Sequence, residues 1–201
     1  MDNAIERREE LLEKIVDVFL AEGISGLSLR PLSAAVGSSA RLLIYHFGSK
    51  EELVAVALDR VRTRITQAVG NVVERANSNS LEDFLRIFWK WAIQPTNQRY
   101  FRLLFEIDGL AMHEGKIVSE KDRIAGANRW IKIFEKKTHD LVDAKESRSG
   151  ASTLIVAAIN GLLHDYFATG DLKRTTAGLN FLIEAIANQA AAKQHKKKKK
   201  H

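Results

Sequence analysis

Cysteine is absent from this chain, which removes disulfide frameworks and thiolate metal sites and suits a reducing compartment such as the cytoplasm. Proline occurs only 2 times, and runs of good helix formers fill the rest, so an all-α fold is expected. No stretch approaches the roughly 18 continuous apolar residues of a membrane span, and the acidic amino terminus does not read as a secretory signal. No membrane partner is therefore expected. Catalytic signatures are missing as well: there is no glycine-rich phosphate loop, no H-E-x-x-H and no nucleophile elbow. His113, His139 and His164 are scattered, and no two share a helix at ligand spacing. The reading is of a protein that is not an enzyme and carries no metal or cofactor.

Another absence is local. From Gly23 to Lys50 the chain contains no Asp or Glu, although Glu22 precedes the window and Glu51 and Glu52 follow it. The overall charge of +6 is a weaker clue. Lysines 193 and 196–200 account for it, and without them basic and acidic side chains balance at 25 each. What points to a polyanion is the distribution of charge, not its sum. The segment 193–201 is of low complexity and self-repelling, and is expected to be a disordered lysine-rich tail.

Helical periodicity organises the remainder. Leu11, Leu12, Ile15, Val18 and Phe19 form one apolar face of a first helix that stops at Gly23. Ser28 reads as the N-cap of a second helix, with Pro31 tolerated in its first turn. Gly37 breaks that helix where a left-handed residue is needed. Ser38 or Ser39 then caps a third helix ending near Phe47-Gly48. Ser49-Lys50-Glu51-Glu52 reads as a capping box that launches a fourth helix towards Val72. Asn77-Ser78-Asn79-Ser80 is the clearest boundary beyond it. Further helices are expected over 81–93, 99–112, about 117–145, 152–168 and 172–192, with a loop at 147–150.

A helix, a glycine turn and a second helix with a polar start is what a DNA-binding helix-turn-helix requires. The residues involved resemble the TetR family of transcriptional regulators. The resemblance covers Ile15 to Leu53: Phe19 and Gly23, Leu27-Ser28-Leu29-Arg30, Leu32-Ser33-Ala34-Ala35-Val36-Gly37, and the run Tyr45-His46-Phe47-Gly48-Ser49-Lys50-Glu51-Glu52-Leu53. One departure is evident. The family tyrosine that touches phosphate stands where this chain has Ile44, and Tyr45 lies one place later. The resemblance implies an all-α, TetR-like fold of about nine helices. A three-helix head over 8–68 (helix-turn-helix about 31–50) would precede an effector-binding and dimerisation domain over 77–192. The implied function is that of a bacterial, ligand-responsive repressor. It would bind a palindromic operator in double-stranded DNA as a homodimer and be released by a small, largely apolar effector. The rival reading is a helical small-molecule-binding or interaction protein without operator binding, and the acid-free window argues against it.

Candidate DNA contacts are Ser28, Leu29, Arg30, Ser38, Ser39, Arg41, Leu42, Tyr45, His46 and Lys50. Arg41, in the first turn of the third helix, reads as a base-edge or phosphate contact. Arg30 and Lys50 read as phosphate clamps, the latter carried over directly from the family motif. His46 is either structural or a base reader. Of Leu42, Leu43, Ile44 and Phe47, at least one must face outward, and Leu42 is the candidate to meet a thymine methyl. In the body, Phe84, Phe88, Trp89, Phe101, Phe105, Trp130 and Phe134 are candidate effector-pocket residues beside a plain reading as core. Arg102, Asn128 and His164 are candidate polar anchors, with Glu106 a further one. Ile155, Ile159, Leu162, Tyr166, Leu179, Leu182, Ile183 and Ile186 lie on two apolar helices that read as a dimer interface forming a four-helix bundle.

Overall fold

The computed structural model describes residues 2–26, 28–75, 80–113, 120–138 and 145–198. Among them are nine α-helices and no strand: α1 (Asp2–Glu22), α2 (Leu29–Ala35), α3 (Ala40–Phe47), α4 (Lys50–Arg75), α5 (Leu81–Ala92), α6 (Pro95–His113), α7 (Glu120–Lys137), α8 (Lys145–Thr169) and α9 (Leu172–Lys198). No helix among the described residues is long and apolar enough to cross a membrane.

Several boundaries differ from those expected. Residues 147–150 are helical, inside α8 rather than in a loop. That stretch has no proline, and the apolar face that follows extends the helix back through it. α6 begins at Pro95, which needs no amide partner in a first turn; the Gln94 carbonyl accepts from Asn97 and Gln98 instead. α9 runs on to Lys198, into the stretch expected to be disordered. The boundary at 77–79 and the segments 114–119 and 139–144 lie outside the described residues.

The chain forms two compact units. One comprises Met1–Gly70 with Gln94–Ile124, so α6 joins the first four helices. Its core is a column of fully buried apolar side chains: Leu11, Leu12, Ile15 and Phe19 from α1, Leu32 and Leu43 from α2 and α3, and Leu53, Leu58 and Ile65 from α4. From α6, Phe101, Leu103 and Ile107 are buried too. On the outside of α1, Glu9, Glu13 and Asp17 recur every fourth residue and meet Arg60 and Arg64 of α4. Arg60 pairs with Glu9 and Glu13; Arg64 pairs with Glu13 and, at 3.1 Å, with Asp17.

The second unit comprises Asn71–Ile93 with Ala125–His201. The Ser80 hydroxyl caps α5 by accepting from the Asp83 amide at 3.0 Å. α5 then sends two faces in different directions. Phe84 meets the edge of Phe134 at 5.2 Å between centroids, and Phe88 meets Trp130 at 5.9 Å. On the other side, the Trp89 indole donates to the Thr176 hydroxyl on α9 at 3.0 Å. α8 and α9 are joined by a tight turn at Gly170, whose φ is +72°. They pack closely because Gly178 has no side chain; a Cβ there would stand 2.8 Å from the Leu162 methyl.

The α1–α4 ion pairs have a consequence for acid stability. Burial pushes the Glu13 carboxyl up, but its hydrogen bond and attraction to Arg64, and then to Arg60, outweigh this and lower it. A carboxyl lowered in the folded state stabilises fully above its unfolded value of about 4.3, and that contribution is lost as pH falls through the folded value. Because these side chains are partly solvent-exposed, the contribution is below about 1 kcal/mol. Urea denaturation between about pH 5 and 3 should show stability falling less steeply in Glu13→Gln than in the unmodified protein.

Candidate nucleic-acid interface

The acid-free window folds into α2, a four-residue turn over 36–39 and α3. Gly37 adopts φ +66°, and its amide donates to the Ala34 carbonyl at 3.2 Å while that of Ser38 reaches the Ser33 carbonyl at 2.8 Å. These bonds close the end of α2 and turn the chain sharply. The Ser39 hydroxyl accepts from the Leu42 amide at 3.2 Å, so Ser39 caps α3. Ser38 does not share that role: its hydroxyl is buried in the turn without a hydrogen-bond partner. Ser28 stands before α2 in extended conformation, but its side chain makes no capping bond. The Ser28 hydroxyl thus remains on the exposed surface.

α3 is strongly two-faced. Leu43 and Phe47, one turn apart, are buried at 0% and 5% exposure. Arg41, Ile44 and Tyr45 point to solvent, with Tyr45 76% exposed. The outward apolar residue is therefore Ile44 rather than Leu42, which is half-buried. Burying Leu43 and Phe47 turns positions 41 and 45 to the opposite side, with Leu42 and Ile44 on the two flanks, where Ile44 is the more exposed. Tyr45 stands beside Ile44, with the His46 ring edge-on to it at 5.2 Å. Arg30 is exposed and Leu29 half-exposed at the start of α2, and Lys50 is half-exposed as the first residue of α4.

The α3–α4 junction is only half of the expected capping box. The Ser49 hydroxyl accepts from the Glu52 amide at 3.0 Å, but the Ser49 amide bonds the Phe47 carbonyl at 3.1 Å. The Glu52 carboxylate lies over Gly48, occupying the space a Cβ would need, and Gly48 itself has φ +82°. A residue with a side chain would meet both obstacles there.

A residue that sequence reasoning passed over holds α3 from below. Arg8 of α1 donates from Nε to the His46 carbonyl at 3.2 Å, and its guanidinium lies 5.0 Å from the centre of the Phe47 ring. One side chain thus engages the last turn of α3 through a cation–π contact and a carbonyl. No local pattern marks Arg8; it sits in a charged run with Arg7, Glu9 and Glu10.

What this surface can do follows from its parts. A short helix with a guanidinium, a phenol and a branched alkyl group on one side suits the wide groove of duplex DNA, where base edges and thymine methyls are exposed. Basic residues at the starts of α2 and α4 flank it, and helix amino termini favour phosphate.

The candidate body residues are distributed differently. Phe84, Phe88, Trp130 and Phe134 come together as ring-on-ring contacts of the second unit. Trp89 does not join them, being turned to Thr176. Phe101, Arg102 and Phe105 belong to the first unit; Phe101 is buried and Arg102 exposed. Asn128 and His164 are exposed. Of the candidate interface residues, Ile155, Ile159, Leu179, Ile183 and Ile186 are buried within a single chain, and Leu162, Tyr166 and Leu182 are half-buried. The large exposed apolar side chains among the described residues of these helices are Leu154, at 66%, Phe181, at 75%, and, at the start of α9, Leu172, at 38%.

The α2–turn–α3 unit therefore belongs to the helix-turn-helix class. Residues 11–57 match the family described as bacterial regulatory proteins, tetR family. Over 89 residues the chain is 27% identical to the HTH-type transcriptional repressor NicS of Pseudomonas putida, covering 43% of this chain and 42% of that protein. It is 24% identical over 161 residues to the HTH-type transcriptional regulator PksA of Bacillus subtilis, covering 78% of this chain and 76% of PksA. The match to NicS and to the mycobacterial regulators spans about two fifths of their length, 42% and 38%. In three dimensions, a TetR-family transcriptional regulator from Cytophaga hutchinsonii superposes with a TM-score of 0.74 at 16% identity, covering 94% of this chain and 96% of that one. That likeness establishes the fold. The head thus matches the tetR family over residues 11–57, and the chain shares the fold of a TetR-family regulator.

Replacing Arg8 removes support from α3 without touching its outer face. Arg8→Ala should cost about 1 kcal/mol of stability, read by thermal denaturation, and should raise amide exchange at the end of α3 above that in α4. Unchanged exchange at positions 46–48 would contradict the role given to Arg8.

Proposed function

We propose that this protein is a ligand-responsive transcriptional regulator, a repressor that seats α3 in the major groove of a palindromic operator as a homodimer. The observation that carries the reading is the outward face of α3, bearing Arg41, Ile44 and Tyr45 within a stretch free of acidic residues. A helical protein that bound only small molecules would have no need of a surface cleared of negative charge beside a capped, solvent-facing helix. Phosphate contacts from Arg30, Ser28 and Lys50 would set register and salt dependence, and base-edge contacts from Arg41 and Tyr45 would set sequence choice. His46 keeps the lesser role of steadying Tyr45. The working domains are the head, 8–68, and a body, 77–192. Repression follows from occupancy, since a dimer seated on promoter DNA excludes polymerase. Function on DNA also places the protein in the cytoplasm.

The dimer reading gains support from what the protomer leaves exposed. α8 and α9 interlock through Ile155, Ile159, Leu179, Ile183 and Ile186, and still present Leu154 and Phe181 to solvent. Ala157 and Gly161 flank Leu154 on α8, and Ala177 and Ala185 flank Phe181 on α9, all exposed and small. Large apolar side chains among small ones allow two helix pairs to approach closely, so a second copy of this face is the fitting partner. For the effector, the aromatic cluster of Phe84, Phe88, Trp130 and Phe134 supports a small, largely apolar compound. It would release the DNA only by binding one spacing of the heads better than the other.

Two measurements test this reading. On duplexes selected by the unmodified protein from a random pool, Arg41→Ala should weaken the selected sequence by about 1–3 kcal/mol and random duplex hardly at all. Lys50→Ala should weaken both about equally and flatten the salt dependence. Equal loss on both duplexes for Arg41→Ala would reduce Arg41 to a backbone clamp. In sedimentation, Phe181→Glu should yield monomers. Each two-fold contact uses the residue twice, so roughly 3–6 kcal/mol of apolar burial is at stake. A dimer unaffected by Phe181→Glu would locate the interface elsewhere.

A further inference from the structure

The link from α1 to α2 is held by a residue far along the chain. Gly23 ends α1 in the left-handed region, φ +79°, and the next two amides point the same way, at the carboxylate of Glu106 on α6. Glu106 Oε1 accepts from the Ile24 amide at 3.0 Å and from the Ser25 amide at 2.5 Å. The same carboxylate covers Gly23, in the space where a Cβ would sit. Three consecutive residues are thereby shaped around one side chain from another helix of the same compact unit. This spot belongs neither to the outward face of α3 nor to the aromatic cluster, and the polar-anchor role first considered for Glu106 leaves these two bonds unexplained.

Position makes the contact consequential. The link after α1 sets where α2 begins, and α2 together with its glycine turn sets where α3 lies. Local structure supplies little else: α2 has seven residues and no side-chain cap at its start, so it is too short to fix its own direction. Ile24 is buried at 2% exposure, which pins one side of the link, and the Glu106 carboxylate pins its backbone. A charged acceptor bonded to two amides is among the stronger side-chain contacts available. It is also directional, so it specifies one conformation of the link and not merely proximity.

We infer that Glu106 is a positioning residue for DNA recognition, locking the α1–α2 link so that α2 and α3 are presented in the geometry that reads sequence. The inference rests on the operator-binding reading above. Because one carboxylate oxygen holds both amides, its loss frees the link at Ile24 and Ser25 together. Sequence-specific binding is then lost while the fold of the helices survives. Binding without sequence preference, which depends on charge and not on the angle of α3, is spared.

The test uses the full-length protein and two probes: duplexes it selects from a random pool, and an unselected duplex of the same length. Glu106→Ala should weaken the selected duplex about tenfold or more, the scale of one lost charge-assisted hydrogen bond, and the unselected duplex less than about twofold. Glu106→Gln keeps an acceptor oxygen without the charge and should fall between Glu106→Ala and the unmodified protein. Gly23→Ala, which attacks the lock from the other side, should reproduce the Glu106→Ala pattern. Hydrogen exchange supplies a readout independent of DNA: the amides of Ile24 and Ser25 should exchange faster in Glu106→Ala, while that of Leu43 is unchanged. Equal exchange at Ile24 and Ser25, or equal loss on both duplexes, would overturn the inference. If the unmodified protein selects no duplex at all, the operator-binding reading fails, and the exchange data still decide whether the lock exists.

Discussion

A helix of eight residues cannot hold its own direction in water, and α3 is that short. Everything proposed for this protein depends on how neighbouring elements fix it. Leu43 and Phe47 sink into the first unit's core, the Ser39 hydroxyl closes its first turn, and Arg8 grips its last turn through the His46 carbonyl and the Phe47 ring. The outer face is left with no structural duty. That division lets Arg41, Ile44 and Tyr45 be chosen for a ligand rather than for the fold.

The distribution of charge serves the same end. The acidic residues of the head are not scarce; they are displaced. Glu9, Glu13 and Asp17 lie along α1 and are engaged by Arg60 and Arg64. Such exposed pairs add little stability individually, but they keep carboxylates off the surface that α2 and α3 present. Glu106 follows the same logic, its negative charge being occupied by two backbone amides.

Much of the head was legible in the sequence because its signals are local. Gly37 marks a left-handed turn, Ser39 an N-cap and Ser49 the start of α4, and each acts within three or four residues of itself. The face of α3 was harder to read. Four apolar residues in one short helix allow several rotations; tertiary burial of Leu43 with Phe47 selects one, and the neighbours of the two flanks then cover Leu42 more than Ile44. Likewise α9 is apolar nearly all round. Which of its sides packs on α8 is decided by Gly178 accepting Leu162, a fit between two helices that no single-helix pattern contains. Arg8 and Glu106 were opaque for the same reason: their partners lie 38 and more than 80 residues away. The capping box was half right, since the Ser49 amide found a nearer carbonyl than the Glu52 side chain.

The central claim is that α3, oriented by its neighbours, reads duplex DNA once per protomer of a two-fold pair. Sequencing the duplexes that the purified protein enriches from a random pool tests this most directly. The account predicts an inverted repeat whose half-sites are centred about 34–36 Å apart, or a multiple of that. Enrichment of a single unrepeated site, or of no sequence at all at low salt, would contradict it.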